Sequence, residues 1–181
     1  MPYVVSAVVF VGALSCLNLL LVLGVVKRLR EHSALLAGGA GAHAGDLDLM
    51  PAGEQVGAYR ATAVDGAPVT RGDTAGEQLV AFVKPGCAPC EEHMPAFIEL
   101  AENVAGGREQ VLAVVVGTSE EATPLLDRLS RVARVVIELP DGPMCRAFQV
   151  HGYPSYFLVD GSGTVLGAAY RPGQLPVTQS A

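Results

Sequence analysis

The segment Phe82-Val-Lys-Pro-Gly-Cys87-Ala-Pro-Cys90-Glu-Glu-His93-Met-Pro95 decides how the rest of the chain is read. A continuous apolar run, Gln78-Leu-Val-Ala-Phe-Val83, leads into it with the length and β-rich composition of a strand buried on both faces. Behind it Met94, Phe97, Ile98, Ala101 and Val104 recur at helical spacing until Gly106-Gly107 ends the pattern. The two cysteines therefore stand at a strand-to-helix junction, Cys87 at the helix N-terminus and Cys90 one turn inside. Unpaired backbone N–H groups and the positive end of the helix dipole favour a thiolate there, so the first sulfur can act as a nucleophile and the second as a resolving thiol. Pro89 suits a first helical turn, where its missing N–H had no partner, and Ala88-Pro89 makes a stiff motif loop.

Two other roles are open to the pair. A metal site would take Cys87 and Cys90 with His93, and Cys145 or His151 as a distant fourth ligand; a structural zinc site normally needs four ligands, and a second CxxC is absent. A metallochaperone would hold copper or zinc on the two thiolates, completed by His151 or His93. An inert staple would gain little from so small a loop. Exchange chemistry needs no catalytic cofactor beyond a Cys87–Cys90 disulfide.

Outward from the motif, strands and helices alternate. Val56 to Thr70 reads as two short strands around an Asp65-Gly66 turn. Val111 to Val116 is a second buried strand, and Thr118 to Glu121 forms a capping-box pattern ahead of a helix carrying Leu125, Leu126, Leu129 and Val132. Val135 to Ile137 is a strand, Gly142 to Val150 a short helix, and Ser155 to Val159 and Thr164 to Ala168 are strands around the turn Asp160-Gly-Ser-Gly163. That order predicts an α/β domain over residues 47–181 with a mixed sheet flanked by helices: parallel where helices cross over, antiparallel at the closing hairpin. No helical pattern follows Arg171, so a closing helix should be truncated or absent, leaving one sheet face open to a partner or the membrane.

The N-terminal part is different in kind. Residues 3–26 carry no charge, a run of 24 residues that at about 1.5 Å per residue spans a bilayer core, so residues 1–26 read as a transmembrane helix. No basic residue precedes the run and no small-x-small cleavage site follows it, which argues against a signal peptide; Cys16, with Ala13-Leu14-Ser15 before it, fits a lipoprotein site poorly. Residues 27–46 then hold a basic cluster, Lys27, Arg28 and Arg30, and a Gly/Ala-rich tether. Positive charge after the helix favours a cytoplasmic domain. Residues 46–181 contain nine basic and seventeen acidic side chains, a net of −8 that excludes nucleic acid as an expected partner. Four cysteines are too few for a disulfide scaffold.

The CxxC segment through Phe97, together with Gly152-Tyr-Pro-Ser-Tyr-Phe-Leu-Val-Asp-Gly-Ser-Gly-Thr-Val-Leu166, resembles the thioredoxin-like superfamily and, within it, membrane-anchored TlpA/ResA-like thiol–disulfide oxidoreductases. The apolar helix followed by Lys27-Arg-Leu-Arg-Glu-His32 is similar to the layout of MauD-type accessory proteins. The resemblance covers about Pro51 to Tyr170 and implies a single-pass membrane protein exchanging disulfides with protein clients and a redox partner, with an extracytoplasmic domain, against the charge rule. A client such as a maturing cytochrome or metalloenzyme would suit it. It further implies that Pro154 is a cis-proline opposite the CxxC and that Tyr153 flanks the substrate chain. The chain departs from the family pattern in three places. The tryptophan that often precedes the first cysteine is Gly86, the buried acid six residues before that cysteine falls on Ala81, and a glutamate three residues after the second cysteine is His93. His93 is the expected handler of the Cys90 proton. Cys145 is expected to sit as a small apolar residue in its helix.

Overall fold

The computed structural model describes residues 49–176. The expected membrane helix at 1–26 and tether at 27–46 lie outside the described residues, among which no helix is long and apolar enough to cross a membrane. Among the described residues are seven strands: β1 (Arg60–Thr62), β2 (Pro68–Thr70), β3 (Gln78–Val83), β4 (Val111–Val116), β5 (Arg134–Glu138), β6 (Ser155–Val159) and β7 (Val165–Ala169). Among the same residues three helices join them, α1 (Ala88–Glu102), α2 (Ser119–Leu129) and α3 (Pro143–Ala147). The main sheet runs β5-β4-β3-β6-β7, parallel from β3 to β4 to β5 and antiparallel from β3 to β6 to β7. The mixed sheet expected from the element order is thus present. β1 and β2 pair as a separate antiparallel ribbon, and a bridge between Ala63 and Val136 joins its turn to β5.

The central strands are apolar at every position because both faces are covered, and the two-residue period of a strand deals their side chains into two core layers. Leu79, Ala81 and Val83 of β3 join Val111, Ala113 and Val115 of β4 in one layer, under Met94 and Phe97 of α1 and Leu125 and Leu129 of α2. Val80, Phe82, Leu112 and Val114 face the other layer, with Val56, Tyr59, Met144 and Phe148. Phe148 lies 5.2 Å from the rings of both Phe82 and Phe157 and 5.8 Å from Tyr59. Burying one such ring is worth about 1.5–3 kcal/mol, so this cluster pins the segment after α3 against the sheet.

Local chemistry sets the helix ends. The capping box forms as expected: the Thr118 N–H donates to the Glu121 carboxylate at 2.9 Å, and the Glu121 N–H donates to Thr118 Oγ1 at 3.4 Å. α2 stops at Leu129, so Val132, read as helical, is buried in the turn leading to β5. After α1 the chain makes a 3₁₀ turn at Gly107–Gln110 that periodicity did not reveal, entered through Gly106 at φ +90°, a conformation glycine takes without steric cost.

Among the described residues no closing helix follows β7, but the open sheet face expected from this is corrected. α1 and α2 cover that face, a 3₁₀ turn at Pro172–Gln174 packs on α1, and Leu175 reaches the same layer. Two helices suffice because the layer is only five strands wide.

Candidate functional site: a cysteine pair at a helix N-terminus

β3 ends at Val83, and the loop Lys84-Pro85-Gly86 delivers Cys87 to the start of α1. Gly86 holds φ +71°, a left-handed conformation that an L side chain adopts only under strain, so glycine here serves the turn into the helix. Cys87 is the N-cap of α1: its backbone is extended and its Sγ accepts the Cys90 N–H at 3.2 Å. Pro89 occupies the first turn. Cys87 and Cys90 are joined as a disulfide, Cα atoms 5.2 Å apart. Cys87 is half-buried while Cys90 is 1 % exposed, so an incoming group meets Cys87 first.

Opposite the pair stands the loop between α3 and β6. The Tyr153–Pro154 peptide bond is cis, and the Tyr153 carbonyl oxygen lies 3.7 Å from Cys87 Sγ. Residues 66 positions apart in sequence are thereby placed at one end of the sheet. Tyr153 packs against both core layers, and Pro154 is buried. His93, one turn beyond Cys90, is half-buried with Nδ1 buried and without a hydrogen-bond partner. His151 is exposed. Among the described residues no three His, Cys, Asp or Glu side chains gather as a metal site, so neither His93 nor His151 is brought to the cysteines as a ligand set.

Ala81 supplies no carboxyl beneath the pair. Across the β3–β6 ladder it faces Tyr156, whose hydroxyl is fully buried without a hydrogen-bond partner and is pushed up in pKa by burial. The first turn of α1 carries Glu91, which is bound to Arg128 of α2 at 2.7 Å across the exposed side of the helix pair. A hollow of about 450 Å³ lined by Gly76, Glu77, Val104, Gly106, Gln110 and Leu158 opens where β3 begins, a strand length away from the cysteines, and takes no part in the site.

One feature of the surroundings was not visible in the sequence. Glu138, 9 % exposed, turns inward and accepts the backbone N–H groups of Met144 at 3.1 Å and Cys145 at 2.7 Å. Cys145 Sγ lies 3.8 Å from the Tyr153 hydroxyl. Burial and then Glu138 push the Cys145 thiol up to about 12, and burial followed by Cys145 raises the Tyr153 phenol. In sequence, Glu138 stands between the strand residues Val135 to Ile137 and Leu139-Pro140, and nothing in the spacing marks its partner.

A mixed sheet with a CxxC at the head of α1 and a cis-proline loop facing it defines a thioredoxin-like α/β fold. Solved structures share it: the thioredoxin domain of a thiol–disulfide oxidoreductase from Bacteroides vulgatus (18 % identity, 67 % of this chain and 90 % of that one, TM-score 0.57). A thiol:disulfide interchange protein from Bacteroides sp. (18 %, 69 % and 84 %, 0.54) and one of the thioredoxin family from Chlorobium tepidum (21 %, 69 % and 89 %, 0.51) are similar to the same extent. At these identities the likeness is one of fold. Residues 52–167 match the model of the AhpC/TSA family, and the chain belongs to that family. No curated protein matches the chain significantly.

Proposed function

We propose that this protein is a membrane-tethered, TlpA/ResA-like thiol–disulfide oxidoreductase acting on protein clients through Cys87 and Cys90. The observation that carries the reading is the half-buried Cys87 sulfur at the N-terminus of α1, backed by buried Cys90 and faced by the Tyr153 carbonyl of the cis Tyr153–Pro154 loop. The solved neighbours described as thiol–disulfide oxidoreductases and interchange proteins support it. In the reducing direction the Cys87 thiolate attacks one sulfur of a client disulfide, forming a mixed disulfide and expelling the other client sulfur as a thiolate. Cys90 then attacks Cys87 Sγ, closing the Cys87–Cys90 bond and releasing the second client thiol. Two electrons and two protons pass to the client, and a dithiol donor must return them; the oxidising direction is the reverse. An extended client segment would run along the Tyr153 backbone beside Cys87, which makes Tyr153 and Pro154 the substrate-binding residues.

The uncharged run at residues 3–26 supplies the anchor. An extracytoplasmic domain serving one confined client, such as a cytochrome or metalloenzyme in maturation, fits that tethering, and a MauD-type layout goes with it. No observation favours the metallochaperone reading.

The test is trapping. A Cys90→Ser variant should accumulate mixed disulfides with client proteins that dithiothreitol releases, and Cys87→Ser should accumulate none. A Cys87–Cys90 pair that failed to oxidise and reduce reversibly in glutathione buffers would refute the proposal. Where the pair does cycle, a potential near about −270 mV marks a reductant and one near about −120 mV an oxidant.

A further inference from the structure

Tyr153 is touched at both ends. Its carbonyl oxygen lies 3.7 Å from Cys87 Sγ and its hydroxyl 3.8 Å from Cys145 Sγ, on the far side of a rigid ring. Cys145 is itself held firmly. Its N–H donates to Glu138 at 2.7 Å, its carbonyl accepts the Val150 N–H at 2.9 Å, and the residue is 3 % exposed. The second of those bonds closes the chain that runs from α3 back to the Tyr153 loop, so α3 and the loop share one anchor.

We propose that Cys145 is a positioning residue for the exchange reaction: its sulfur holds the Tyr153 hydroxyl, and through the Tyr153 ring it sets the backbone edge that faces Cys87, where a client chain docks. This rests on the oxidoreductase reading and adds a third cysteine that takes no part in electron transfer. A thiol pushed up to about 12 is protonated at neutral pH and serves as a weak hydrogen-bonding group, not as a nucleophile. Glu138 is the support behind it, fixing the first turn of α3 through two backbone N–H groups.

The experiment uses the full chain in detergent micelles, with insulin as the protein disulfide and steady-state kinetics split into kcat and KM. Cys145→Ala and Tyr153→Phe should each raise the KM for insulin about three- to tenfold while kcat moves less, since the loss falls on docking. Because both substitutions remove one contact, the double variant should be no worse than the weaker single one. A Cys145→Ala KM within about 1.5-fold of wild type, or single effects that multiply in the double variant, would overturn the inference. Should Cys145→Ala fail to fold, Tyr153→Phe, which deletes only the hydroxyl, decides the matter by the same KM criterion. A wild type that cycles with dithiothreitol yet neither reduces insulin nor oxidises reduced ribonuclease would sink the protein-client reading and this inference with it; where only the oxidation proceeds, the same KM criterion is read with reduced ribonuclease, and an active wild type with an unchanged Cys145→Ala sinks this inference alone.

Discussion

Glu138→Ala tests how the α3 end of the site is held. α3 has no capping side chain of its own, since its N-cap is Gly142, and the Glu138 carboxylate takes that duty from the end of β5. Truncation strands two buried N–H groups, each worth about 1–3 kcal/mol when left unsatisfied. The 9 % of the residue that remains exposed lets solvent reach part of the gap, so we expect a total loss of about 2–4 kcal/mol. Glu138→Gln keeps one acceptor oxygen and should lose about half as much. The assay is urea unfolding of the full chain in detergent micelles, followed by far-UV circular dichroism because the sequence contains no tryptophan. An unchanged m value would show that the native and unfolded states are otherwise comparable. A loss below about 0.5 kcal/mol, or equal losses for Ala and Gln, would refute the reasoning, since the first denies the two bonds and the second denies that the acceptor matters.

Gly142→Ala attacks the same junction from the other side, because its new Cβ would run into the Glu138 carboxyl; a loss of about 1–3 kcal/mol is expected in the same unfolding assay, and a neutral result would mean that the carboxylate moves freely. Tyr156→Phe removes a fully buried hydroxyl that has no partner, so stability should hold or rise by up to about 1.5 kcal/mol, and a clear loss would point to a hydrogen bond made in solution. Breaking the exposed Glu91–Arg128 pair with Arg128→Ala should cost no more than about 0.5 kcal/mol, with the small effect vanishing at high salt. Alkaline pH should destabilise the fold. Cys145 is raised from 9.0 to about 12 and Tyr59 from 10.0 to about 12, mainly by burial, so between those values the unfolded state has lost protons that the folded state keeps. Stability is then whole below about pH 9 and falls as pH climbs toward 12; Cys145→Ala should flatten the first part of that fall in a pH series of urea midpoints, and an unchanged slope would contradict the burial.

Much of the architecture was legible because it rests on local rules. The uninterrupted apolar runs of β3 and β4 announce strands covered on both faces, Thr118 to Glu121 announces a helix start, and the placement of Cys87 and Cys90 between a strand and a helix announces a polarised cysteine. Those features depend on residues within one or two turns of each other, and a one-dimensional pattern carries them. The 3₁₀ turn after α1 escaped because four residues are too few to show a period, and the end of α2 escaped because Val132 is buried by a turn as effectively as by a helix.

What lies between distant segments was decided by tertiary structure. The pairing of β3 with β6 sets Ala81 against Tyr156, so a phenol, and not a carboxylate, is the polar group on that face. The closeness of Tyr153 to Cys87, and the inward turn of Glu138 toward Cys145, arise where strand ends and loops converge at one edge of the sheet. Sequence by itself determined that a cysteine pair heads a helix in an α/β domain. Only the fold decided which phenol and buried acid stand around it and how near the Tyr153 carbonyl, whose loop the family resemblance sets opposite the pair, comes to Cys87, because such contacts follow from the register and crossover of strands, and a contact across 66 residues leaves no periodic trace in the chain.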